Sequence, residues 1–72
     1  MKYSKENMPP IGLIFSDSGG SYEIMKIVGE FIVLNEINSR REYNYSLNGG
    51  IRHLNNGIWT IKKTPILDYE IY

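Results

Sequence analysis

The stretch Tyr22 to Ile37, YEIMKIVGEFIVLNEI, restricts most tightly what this chain can become. Two β-rich runs flank the pair Gly29-Glu30. Glycine at the first of two central turn positions fits a type II′ hairpin, because that position needs a positive φ. Ile24, Ile27, Val28, Ile32, Val33 and Ile37 are β-branched and suit a pleated, half-buried surface. No other part of the sequence is as densely apolar, so the remainder is expected to pack onto it.

A chain of 72 residues makes one domain. At this size only about 60% of the unfolded chain's surface is buried on folding, and the stability margin is thin. The sequence has no cysteine, which excludes disulfides and thiolate zinc sites. Stability must then come from close β packing, or from assembly with copies of itself or with a partner. No charged-then-apolar leader and no apolar run near 18 residues is found, which predicts a soluble, cytoplasmic protein. Without an export signal the sequon Asn44-Tyr45-Ser46 reads as coincidence. Eight basic residues balance eight acidic ones. A domain built mainly to hold a phosphate backbone carries a basic excess, and a net charge near zero favours self-association. Richness in Ile, Asn, Lys and Tyr suggests an AT-rich genome, bacterial or viral.

Along the chain, residues 1–10 read as an N-terminal arm, because Pro9-Pro10 cannot donate to a ladder. Ile11 to Ser16 is a short apolar strand, and Asp17-Ser18-Gly19-Gly20-Ser21 a turn. Strand two, Tyr22 to Val28, places Tyr22, Ile24, Lys26 and Val28 on one face, with Met25 and Ile27 on the other. The continuous run Phe31 to Leu34 predicts a third strand covered on both sides. Asn38-Ser39-Arg40-Arg41 is a polar turn, and strand four, Glu42 to Leu47, puts Tyr43, Tyr45 and Leu47 on one face. Asn48-Gly49-Gly50 ends that strand. Ile51 and Leu54 stand one helical turn apart with Gly57 as a cap, so a single turn is expected over residues 51–56. Ile58 to Lys63 is strand five, and Thr64-Pro65 a breaker. Residues 64–72 alternate cleanly through Leu67, Tyr69 and Ile71, as either a sixth strand or an arm pairing with another chain.

The expectation is therefore all-β: a strongly bent antiparallel meander of five to six strands, with residues 11–63 forming a small barrel. Gly12-Leu13-Ile14-Phe15-Ser16-Asp17, followed by Tyr22-Glu23-Ile24 and later Gly57-Ile58-Trp59, gives a layout that resembles the Src-homology-3-like barrel. Small barrel modules of this kind occur in bacterial and phage proteins and commonly bind proteins or nucleic acids. The acidic loop and ALYDY-like run of the peptide-binding members are absent, so recognition of proline-rich peptides is not implied. An OB-type barrel is the nearest rival, though 72 residues is short for it.

Chemistry finds little footing. His53 is the sole histidine, no nucleophile elbow accompanies it, and next to Arg52 it reads as a solvated surface residue. The carboxylates are dispersed, no pair has metal-ligand spacing, and the glycine clusters lack the Gly-Lys-Ser/Thr of a phosphate loop. Catalytic residues, metal and cofactor are all expected to be none.

Binding remains. Two tyrosines on one strand face, Tyr43 and Tyr45, either pack against a core edge or expose an adhesive surface. Tyrosine gives large contact area with few rotatable bonds. With Tyr69 and Tyr72, and with Arg40, Arg41 and Arg52 at the rim, they are the candidate contacts for a protein partner, a second copy included. A phage-type accessory or inhibitory protein acting on a host system is the narrower expectation. The alternative is a nucleic-acid-binding barrel, with Tyr43, Tyr45 and Trp59 stacking on bases and Arg40, Arg41, Arg52, Lys62 and Lys63 on phosphates. Trp59 fits a core better than a stacking platform. A third possibility is an oligomer that sequesters a small ligand or nucleotide.

Overall fold

A computed structural model describes residues 2–65 and arranges them around one five-stranded antiparallel sheet. The strands are β1 (Ile14–Asp17), β2 (Gly20–Val28), β3 (Phe31–Glu36), β4 (Glu42–Ser46) and β5 (Thr60–Lys63), and a helix α1 (Leu47–Asn56) precedes β5. The sheet order is β4-β3-β2-β1-β5. Residues 66–72, the proposed sixth strand or pairing arm with Tyr69 and Tyr72, lie outside the described residues.

The central hairpin forms as its turn chemistry requires. Val28 pairs with Phe31, and φ is +57° at Gly29 but not positive at Glu30, the pattern of a type II′ turn. A bulge changes what β2 presents. The β2–β3 register shifts between Ile24 and Lys26, so one extra residue, Met25, is accommodated on β2. That insertion reverses the alternation. Ile27 falls opposite Ile32 and joins Ile24 on the core side, while Lys26 and Val28 pair with Val33 and Phe31 on the other. The face assignment from strict alternation is thus wrong beyond Ile24. On β3, Ile32, Val33 and Leu34 are buried, but Phe31 is 55% exposed, so the run is covered on both sides only over its last three residues.

The sheet does not close. Strands β4 and β5 are its two edges, and the expected barrel seam is absent among the described residues. Strand β5 spans only four residues, and a ten-residue helix is interposed between it and β4. That helix is the second departure from expectation. In place of a turn over 51–56, α1 begins at Leu47 and runs through Asn48-Gly49-Gly50. Ser46 starts it: its side chain accepts a hydrogen bond from Gly49 N–H, which satisfies one of the orphan donors of the first turn. Gly57, at φ +78°, stops it, its N–H bonding to the Leu54 carbonyl.

Packing explains why the helix tolerates a glycine pair. A Cβ on Gly50 would lie 2.5 Å from Ile32 Cδ1 and 3.1 Å from Trp59 Cζ3. The helix therefore rests its backbone directly on the core, where Leu47 and Leu54 join Leu13, Phe15, Ile24, Ile32, Leu34 and Trp59. The N-terminal arm is tied to the same helix. Tyr3 N–H donates to Asn55 Oδ1 at 2.8 Å, Asn55 Nδ2 donates to Tyr3 O at 2.9 Å, and Pro9 is fully buried.

Helix propensity alone favours alanine over glycine by about 1 kcal/mol, yet Gly50→Ala is expected to destabilise the protein. Overpacking a filled core costs typically about 1–3 kcal/mol. Urea denaturation of the variant checks the sign: a lower midpoint is predicted, and a higher one contradicts the helix–core contact.

Candidate functional site: an aromatic groove

Phe15 is the keystone of the sheet's core face. It lies opposite Tyr22 on β2, stacks on Trp59 with ring centroids 4.0 Å apart and planes 14° from parallel, and packs on Tyr22 at 5.5 Å. Phe15 is 0% exposed and Trp59 5%. Trp59 is therefore core, as its scarcity in so small a domain suggested, and it is not a free stacking platform. Leu34, also buried, is the third residue of this floor.

Tyrosines stand above that floor. Tyr43 lies opposite Leu34, and Tyr45 opposite Ile32, on the same face of β4. They remain 44% and 37% exposed. The sequence left two fates open for this pair, and their side chains share both: each has one flank on the core and one in solvent. Tyr43 meets Tyr22 edge-on at 6.1 Å, and Tyr45 leans on Trp59 at 4.9 Å. Such contacts add about 0.5–1.5 kcal/mol beyond area burial and hold the rings in place. Together they bound a groove of about 550 Å³. Asp17 and Ser18 from the β1–β2 turn also line it, as do His53 and Ile58.

His53 is not a solvated surface residue. Helix α1 places it against Trp59, and its Nε2 is hydrogen-bonded to the Tyr45 hydroxyl at 2.8 Å. Nδ1 is shielded from solvent without a partner among the described residues. Sequence reasoning missed this because the expected helical turn was too short to carry His53 back onto β4.

The basic candidates are scattered. Arg40 and Arg41 sit in the β3–β4 connection, Arg52 on α1, and Lys62 and Lys63 on β5. None of them lines the groove. Arg40 has φ +61°, a left-handed conformation that costs a non-glycine residue roughly 1–2 kcal/mol. The turn is held from its other end by Glu36, whose carboxylate accepts from the Ser39 and Asn38 N–H groups at 2.8 and 3.4 Å. At the opposite hairpin, Asp17 Oδ1 accepts from Gly19 N–H at 2.7 Å and Gly20 N–H at 3.0 Å. Among the described residues, no group of three or more His, Asp or Glu side chains is arranged to hold a metal ion. No described helix is long and apolar enough to cross a membrane.

Electrostatics at the Tyr22 end are acidic. Partial burial, then the negative charge of Asp17, then Tyr43 and Glu36 push the Tyr22 hydroxyl above its ordinary pKa of 10.0. Hydrogen bonds from Ser39, side chain first and then backbone, hold Glu36 below its ordinary value of 4.5.

The two shifts bracket a stability plateau. Glu36 binds its proton more weakly when folded, so its contribution is present above pH 4.5 and is lost as pH falls through the lower folded value. Tyr22 binds its proton more tightly when folded, so stability declines as pH rises past 10.0 towards the higher folded value. Denaturation midpoints measured against pH are expected to show a shallower alkaline decline in Tyr22→Phe and a shallower acid decline in Glu36→Gln. No family model, no curated protein and no solved structure matches the chain.

Proposed function

We propose that this is a non-enzymatic binding domain whose aromatic groove receives a segment of another protein. One observation carries it: Tyr43 and Tyr45 stay exposed as walls over a floor of buried Phe15, Leu34 and Trp59. A groove built this way offers apolar area with few rotamers to freeze and phenol groups to fix orientation. The Tyr22 and Tyr43 hydroxyls have no hydrogen-bond partner within the described residues and are free to take one from a ligand.

The finer structural reading is an Src-homology-3-like module. Support comes from the sheet order, with the last described strand beside the first, and from a helix that precedes that strand by three residues. The narrower functional reading is a phage-type accessory or inhibitory protein acting on a host system from within the cytoplasm. The layout resemblance and the composition support it.

Nucleic acid is the competing ligand. Its phosphates would need the cations that lie on three separate elements, and the charged side chain lining the groove is the carboxylate of Asp17. Like charge there opposes a phosphate backbone.

The test uses Trp59 as reporter, since it lies in the groove floor. Peptides selected from a random display library against the intact protein are titrated by tryptophan fluorescence, and a 20-nucleotide single strand is titrated alongside. Peptide binding weakened at least tenfold by Tyr43→Ser with Tyr45→Ser, and little changed between low and high salt, is the expected result. Peptides that bind the variant equally well, or a single strand that alone binds and does so with steep salt dependence, would overturn the reading.

A further inference from the structure

The two edges of the sheet are treated differently by the sequence. Strand β5 carries Lys62 and Lys63 and runs into Pro65, the charges and the missing donor by which natural edges avoid pairing. Strand β4, EYNYS, has no proline, no lysine and no bulge, and all five of its residues are exposed. Among the described residues this edge is unpaired, and an edge of this kind is a template for another strand.

Its hydrogen-bonding pattern says which groups are free. The β3–β4 ladder is bracketed by Glu36 N–H to Arg41 O at 2.8 Å and Leu47 N–H to Glu30 O at 2.8 Å. Bonded pairs alternate along an antiparallel ladder. Tyr43 and Tyr45 therefore direct their backbone groups at β3, while those of Glu42 and Asn44 and the N–H of Ser46 face outward; the Ser46 carbonyl is engaged by the helix it caps. We propose that β4 pairs antiparallel with β4 of a second copy across a twofold axis at Asn44, joining two five-stranded sheets into one of ten.

That register is the one that uses the whole strand, and it is self-complementary. Asn44 exchanges backbone bonds with the partner's Asn44, and Ser46 N–H reaches the carbonyl of the partner's Glu42. Tyr43 falls beside the partner's Tyr45 in a non-bonded pair, where cross-strand side chains come closest. Charge agrees as well: Glu42, the single charge on β4, faces serine and no like charge, and copies with no net charge approach without repulsion. Each groove then continues into its neighbour, with Tyr45 of the partner subunit extending the wall that Tyr43 begins. This pairing stands on the edge of β4, independently of whatever ligand the groove takes.

Sedimentation equilibrium of the full chain, with Asn44→Glu, Asn44→Lys and their equimolar mixture, decides it. Asn44 is exposed and lies opposite Val33 in a non-bonded pair, so its substitution removes no hydrogen bond to β3 and both variants keep the fold, which circular dichroism verifies. A wild-type dimer is expected, with each variant dissociating at least about tenfold more readily because like charges meet at the axis, and with the mixture restoring a dimer. Wild type remaining monomeric at millimolar concentration overturns the pairing. So do variants that dimerise undiminished, or open-ended association beyond two copies, which a head-to-tail β4–β5 contact would produce.

Discussion

The stack of Phe15 on Trp59, with Gly50 beneath it, is the contact on which the rest of this small structure depends. It joins β1 to the segment leading into β5, and it gives the helix a surface flat enough to lie on with no side chain between. A domain this small and without cysteine cannot spread its core thinly. Among the described residues, Phe15, Tyr22, Tyr43, Tyr45 and Trp59 gather on one face of the sheet. The same concentration produces the groove, because tyrosines at the margin of an aromatic floor can be only half covered.

Helix and sheet are thereby coupled through a few residues. Ser46 is the last residue of β4 and the cap of α1, so the direction of the helix is fixed by the strand it leaves. Tyr45, one residue earlier, contacts both Trp59 and His53, so the groove wall is anchored to the core and the helix at once. Asn55, near the end of α1, holds the N-terminal arm by its backbone. A short chain thus closes its structure by using the helix as the common support of an arm, an edge strand and an aromatic floor.

How far the sequence could be read follows from which interactions are local. The type II′ turn at Gly29-Glu30 was legible because its glycine requirement is set by the turn itself. Tyr43 and Tyr45 were placed correctly on one face by simple alternation, and Trp59 was correctly assigned to the core. The bulge at Met25 was not legible, since a register shift depends on β3 and leaves no signature in β2 alone. Nor was the helix across Asn48-Gly49-Gly50, where propensity points to a turn. The contact that makes glycine necessary at position 50 is with Ile32 and Trp59, remote in sequence. His53 was misjudged for the same reason: its partner Tyr45 becomes a neighbour only once the full helix exists. The arginines expected around the tyrosines are spread over separate elements, a matter of topology that spacing does not encode.

The most direct measurement is the set of proton–proton Overhauser contacts from the Gly50 Hα atoms in the folded protein. Strong contacts to the six-membered ring of Trp59 and to the Ile32 δ-methyl are predicted, together with contacts between the Phe15 ring and the Trp59 indole. A Gly50 without contacts to either side chain, beside a Trp59 indole open to solvent, would contradict the buried aromatic floor and with it the groove.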